Sequence, residues 1–103
     1  MHGAAWAMMD CDNIDFSRHA IQRMFERAVS PTEVRAAVAT GEVVAVYPDD
    51  KPHPSVLILA FVHDKPLHVV VSQEERTSQC HVITVYVPDP SVWSSDFKAR
   101  RRT

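Results

Sequence analysis

A chain of 103 residues with 46% hydrophobic and 23% charged side chains and only two glycines holds apolar surface for one core but not for two, which excludes disordered and fibrous classes. Its formal net charge of -2 supplies no global attraction to nucleic acid. An anionic partner has to be met by local basic clusters such as Arg18, Arg23 and Arg27, or Lys98, Arg100, Arg101 and Arg102.

The first predicted element is a helix over residues 17 to 27. Ser17 is a favourable N-cap, and Ala20, Ile21, Met24, Phe25 and Ala28 recur at helical spacing as a core stripe. His19, Arg23 and Arg27 follow one another at steps of four, which lines them up along one edge of that helix. A second helix is predicted over 31 to 40. Ser30 caps it, Pro31 takes the first position, Glu33 closes a capping box and Gly41 is the expected left-handed stop. Val34, Ala37 and Val38 form its narrow apolar face.

From Glu42 onward the periodicity is that of strands. Strands are predicted over 43 to 47, 55 to 63, 66 to 73 and 80 to 87, separated by the turn-rich run from Pro48 to Pro54, a hairpin turn at His63, Asp64 and Lys65, and a polar loop from Gln73 to Gln79. The last hairpin admits two registers. In the preferred one Leu67, Val69, Val71, Ile83 and Val85 face the core while His68, Ser72, Thr84 and Tyr86 share the opposite face, and a slip of one residue reverses the second strand. Two prolines block extension beyond Val87, so Trp93 is expected to fold back as an apolar anchor. The outcome is an α+β domain over residues 16 to 97, with two N-terminal helices packed on a curved antiparallel sheet of about four strands. An N-terminal arm (1 to 15) and a basic tail (98 to 103) flank it. The expected core is Ile21, Phe25, Val34, Val38, Leu57, Leu59, Val69, Val71, Ile83 and Val85.

Chemistry-bearing residues are few. His19 with Arg23 and Arg27 on one helix edge offers guanidinium forks for a phosphodiester and an imidazole that titrates near neutral pH; the alternative is an exposed polar face in which the arginines pair with Glu26 or with Asp residues. His68, flanked by apolar strand residues, is either a functional imidazole or a buried one satisfied by its own hydrogen bond. Thr84 and Tyr86 add a hydroxyl and a phenol on its face, or merely favour a strand. Around His68 and His81 no carboxylate or cysteine falls at a recognised ligand spacing, so no metal site is expected. The absence of a glycine-rich phosphate loop, a nucleophile elbow or a dinucleotide fingerprint leaves no cofactor in view.

Cys11 and Cys80 match no Cys-x-x-Cys pattern. They allow one bridge between arm and strand, but two free thiols in a reducing cytoplasm are the expectation. The opening stretch is too short for a membrane span and lacks a basic lead, so the chain reads as cytoplasmic with no membrane partner.

Several blocks carry a resemblance. Phe16 to Arg27, Ser30 to Val34, Gly41 to Val43, Pro66 to Val71, Val82 to Tyr86, Pro88 to Pro90, and Trp93 together resemble a bacterial family of small domains catalogued as having unknown function. Members of that kind are found beside zinc-finger antitoxins of the MqsA/YgiT type, and the resemblance extends distantly to the compact MqsR, BrnT and RelE toxins. It implies a RelE/BrnT-like fold and a toxin of a type II toxin-antitoxin pair, a metal-independent endoribonuclease acting on mRNA. His19, Arg23, His68 and Tyr86 would be its catalytic residues and Arg27 and Thr84 its RNA contacts. The implied partners are RNA and a cognate antitoxin of zinc-finger or helix-turn-helix type. Two features depart from that pattern: Val87 stands where a charged residue is expected, and the net charge is acidic. The rival expectation is a non-catalytic protein- or nucleic-acid-binding module, or a degenerate toxin that retains only the fold.

Overall fold

The computed structural model describes residues 11 to 101. Asp10 and everything before it in the arm, together with Arg102 and Thr103 of the tail, lie outside the described residues. The elements run β1 (Asn13–Phe16), α1 (Arg18–Arg27), α2 (Pro31–Thr40), β2 (Glu42–Tyr47), β3 (Ser55–Val62), β4 (Lys65–Glu74) and β5 (Gln79–Tyr86). They build one sheet in the order β1-β5-β4-β3-β2. β2 to β5 pair antiparallel, whereas β1 lies parallel to β5.

The sheet is therefore mixed and five-stranded, and residues 13 to 15 belong to it rather than to a separate arm. Asn13, Ile14, Asp15 and Phe16 do alternate polar and apolar, but four residues are too short a run to stand out as a strand. Long-range links hold it: Asn13 to Phe16 are in register with Gln79 to Val82, and Cys11 is bonded to Cys80. That disulfide corrects the expectation of free thiols. It also removes the support that reduced cysteines lent to a cytoplasmic location, because such bonds persist mainly in oxidising surroundings.

Both helices are fastened at their starts. Ser17 Oγ accepts from the Ala20 N–H at 2.9 Å and donates to the Ile83 carbonyl at 2.8 Å, and the Ser17 N–H donates to the Val82 carbonyl at 3.0 Å. One residue thus caps α1 and fixes it on β5. α1 ends in left-handed Ala28 (φ 56°), which is exposed as a cap instead of buried in the stripe. In α2 the capping box forms as expected, Ser30 Oγ accepting from Glu33 N–H at 3.1 Å and Glu33 Oε1 accepting from Ser30 N–H at 2.9 Å. Gly41 differs from expectation. Its φ of -73° is open to any residue, and glycine is needed because a Cβ would stand 2.5 Å from Ile58 Cγ2 and 2.6 Å from the Ala37 carbonyl oxygen.

The helices cover one sheet face, where Ala20, Met24, Val34 and Val38 pack on Val56, Ile58, Val69, Val71, Val82 and Val85. Of the expected core, Val34, Val38, Leu57, Leu59, Val69, Val71 and Val85 are buried. Ile21 (55% exposed), Phe25 (86%) and Ile83 (39%) are not. α1 meets the sheet along the narrow line of Ala20 and Met24, so its Ile21/Phe25 flank overhangs solvent. Ile83 is displaced by a bulge: Val70 pairs with Thr84 but Val71 pairs with Val82, so Ile83 is the extra residue and Val82 takes the core position.

Over the opposite face the C-terminal segment folds back, as expected of Trp93, which is buried. A bridge between Trp93 and Arg100 closes this segment on itself. The basic tail is partly engaged: Lys98 Nζ pairs with Glu42 at 3.1 Å, Arg100 lies over the Trp93 ring, and Arg101 Nε donates to the Pro90 carbonyl at 2.7 Å. No helix among the described residues is long and apolar enough to cross a membrane.

Candidate functional site

The residues singled out in the sequence separate into two groups joined by β5. The first is an exposed edge. His19, in the first turn of α1, meets Thr84 of β5 with Nε2 and Oγ1 2.9 Å apart. One turn further, Arg23 is paired with Glu26 at 2.8 Å, both side chains about two-fifths exposed (43% and 41%). A pair so open to water is weakly held, and its arginine remains free to exchange a carboxylate for a phosphate. Another turn on, Arg27 borders a cavity of about 410 Å³ whose wall includes His63, Lys65 and Val87. The uncharged Val87 does not leave this end without charge, because Lys65 borders the same cavity as Arg27.

The second group is covered. His68 is fully buried, its Nε2 2.8 Å from the Phe97 carbonyl oxygen, to which it must donate. That fixes the tautomer and leaves Nδ1 as a lone pair with no hydrogen-bond partner among the described residues. Trp93 and Tyr86 present edge-on rings to it, with centroids 4.5 and 5.2 Å away. Burial pushes the imidazole below its ordinary pKa, with the Phe97 carbonyl opposing in part. Burial likewise pushes the Tyr86 phenol up, aided by Tyr47 and opposed by Arg100. Of the two alternatives for His68, the buried imidazole held by its own hydrogen bond is the one the structure shows. The strand alternation put it on the right face, but the tail that covers that face was not deducible from the strand.

A third group was missed. His81 Nδ1 lies 2.7 Å from Asp15 Oδ1, and its Nε2 2.9 Å from Glu74 Oε2. His53, from the proline-rich loop, brings Nε2 to 3.8 Å from the same Glu74 oxygen. Hydrogen bonds donated to the Asp15 and Glu74 carboxylates raise the His81 pKa, and the bond accepted from His81 lowers that of Glu74. Linear spacing hides the group because its members come from β1, a loop, β4 and β5. The available signal was that Glu74 and His81 flank the loop of one hairpin, where pairing of Ser72 with His81 and of Glu74 with Gln79 puts them on one face.

Residues 16 to 87 match the family model described as Domain of unknown function (DUF4258). The chain belongs to the DUF4258 family. The match runs from Phe16, the last residue of β1, to Val87, just past β5. Within this DUF4258 chain it takes in His19, Arg23, Arg27, His68, Thr84 and Tyr86, whereas Asp15 and the Trp93 segment lie beyond its limits. No curated protein and no solved structure matches the chain.

Proposed function

We propose that this DUF4258 chain is a metal-independent endoribonuclease, the toxin of a toxin-antitoxin pair with a distant MqsR/BrnT/RelE-like ancestry. The observation that carries the reading is the exposed His19 imidazole held on Thr84 at one end of a helix edge that continues through Arg23 and Arg27. With Nε2–H given to Thr84, Nδ1 holds the lone pair that takes the proton from a ribose 2′-hydroxyl. The 2′-oxygen then bonds to the adjacent phosphorus as the bond to the 5′-oxygen breaks, leaving a cyclic phosphate and a 5′-hydroxyl. Arg23 and Arg27 stabilise the added negative charge of the transition state. Tyr86, a neutral phenol two residues along β5 from Thr84, stacks on a base or supplies the leaving oxygen's proton. His68 has a different role from the catalytic one the resemblance implied: buried against Tyr86 and Trp93, it is a positioning residue and takes no proton from substrate.

The flank formed by Ile21 and Phe25 supports the partner half of the proposal. A phenylalanine 86% exposed, beside an open groove lined by Phe16, Met24, Val29 and Arg35, is an apolar surface suited to a partner protein such as the cognate antitoxin. The same observation favours the second reading, a protein-binding module without catalysis. Incubating purified protein with end-labelled single-stranded RNA in a chelator separates them. Cleavage lost in Arg23→Ala, with Phe25→Ser still active, supports the nuclease; no cleavage of any RNA, with a partner still bound through Phe25, leaves the binding module.

A further inference from the structure

The chelating geometry at the far end of β5 is independent of the nuclease reading. We propose that His53, Glu74 and His81 bind one divalent transition-metal ion of the Zn²⁺, Co²⁺ or Ni²⁺ kind, with Asp15 as the outer partner that orients His81.

One donor atom from each of the three residues lies within 4.8 Å of the other two. Both imidazoles approach through Nε2, and both converge on Glu74 Oε2, at 2.9 and 3.8 Å. The longer distance is informative. It exceeds a hydrogen bond, whereas two donors held at about 2.0 to 2.2 Å from one tetrahedral ion stand roughly 3.4 Å apart. Adjustments of about an ångström or less in three half-buried side chains therefore bring the set to coordinating distance. The rings of His53 and His81 are nearly parallel, 15° apart with centroids separated by 6.2 Å.

The surroundings do for each ligand what an outer shell must do. Asp15 Oδ1 accepts from His81 Nδ1–H at 2.7 Å, which directs the Nε2 lone pair inward, and Gln79 Nε2 holds the other Asp15 oxygen at 3.1 Å. Thr77 Oγ1 donates to the second Glu74 oxygen at 3.4 Å. Two imidazoles and one carboxylate form a borderline donor set that suits zinc-like ions better than the all-oxygen preference of Mg²⁺ or Ca²⁺. A cavity of about 510 Å³, walled also by Asp50, Lys51, Ser72 and Ile83, gives room for water in the remaining coordination position. Such an ion would tie the loop of His53 to β4 and β5.

The test is titration of chelator-treated, dialysed wild-type protein with Zn²⁺ by calorimetry, with Co²⁺ absorption as a second probe. One ion per chain is expected, together with a tetrahedral Co²⁺ spectrum and a thermal midpoint that rises with free Zn²⁺. His53→Ala and Glu74→Gln should each lower affinity at least about tenfold, and Asp15→Asn by about tenfold. His53→Ala, in a loop, should keep the metal-free midpoint of the wild type. No stoichiometric site in the wild type overturns the assignment. So does affinity in His53→Ala and Glu74→Gln equal to the wild type, which would place the ion elsewhere.

Discussion

Replacing Cys11 by serine opens the bond between Cys11 and Cys80 and leaves Cys80 as a buried thiol, a small group that the core around Val82 accepts without a polar penalty. The bond spans a sequence separation of 69 residues. For a loop of that length the chain-entropy relation gives a stabilisation of about 4 kcal/mol at 25 °C, largely through restriction of the unfolded chain. Against a typical total of about 5 to 15 kcal/mol this is a large share. Its loss should lower the thermal midpoint by roughly 15 °C or more in a domain of this size. Guanidinium unfolding of wild type and Cys11→Ser, each with and without a reducing agent, measures it: reductant should move the wild type to the variant's midpoint and leave the variant where it is. A difference below about 1 kcal/mol, or two reactive thiols in the native wild type, would refute the link between β1 and β5 as a source of stability.

Four further outcomes are expected from residues whose surroundings are known. His68 has a folded pKa below its ordinary 6.5, so the unfolded chain takes up its proton first; stability is fully present above about pH 6.5 and falls with decreasing pH by up to about 1.4 kcal/mol per unit from this group. His68→Phe should flatten that part of a denaturant-melt pH series, and an unchanged profile would mean that the imidazole is not buried neutral. Gly41→Ala forces a Cβ against Ile58 and the Ala37 carbonyl and should cost about 1 to 3 kcal/mol in urea unfolding, a neutral result showing that α2 does not approach β3 so closely. Val69→Ala should cost roughly 1 to 4 kcal/mol and Ile83→Ala under about 1 kcal/mol, because only the first is buried; the reverse order would place the bulge elsewhere.

Much of the architecture was legible because it is written locally. Ser17, Ser30, Pro31 and Glu33 mark the helix starts, and the runs around Leu57, Val69 and Val85 mark buried strands. What escaped is non-local. β1 exists only through pairing with β5, the bulge that trades Ile83 for Val82 depends on how two strands meet, and the exposure of Phe25 depends on how little of α1 touches the sheet. At the candidate site the spacing of His19, Arg23 and Arg27 described one helix edge, and Thr84 was known as a strand residue, but their meeting needed the packing of α1 on β5. His68 is the opposite case. Its apolar neighbours in β4 were visible, while Trp93 and Phe97, which cover it, arrive from 25 and 29 residues away along the chain.

The nuclease reading is tested most directly by single-turnover cleavage of a single-stranded RNA in excess chelator, wild type against His19→Ala. His19 is exposed and its side chain bonds only to Thr84 among the described contacts, so the variant should keep its fold and its melting midpoint within a few degrees. On the nuclease reading the wild type cleaves to a cyclic-phosphate end, and the variant does so at a rate at least about a hundredfold lower. Cleavage at equal rates by both proteins, or none by the wild type on RNAs of varied sequence, would contradict it.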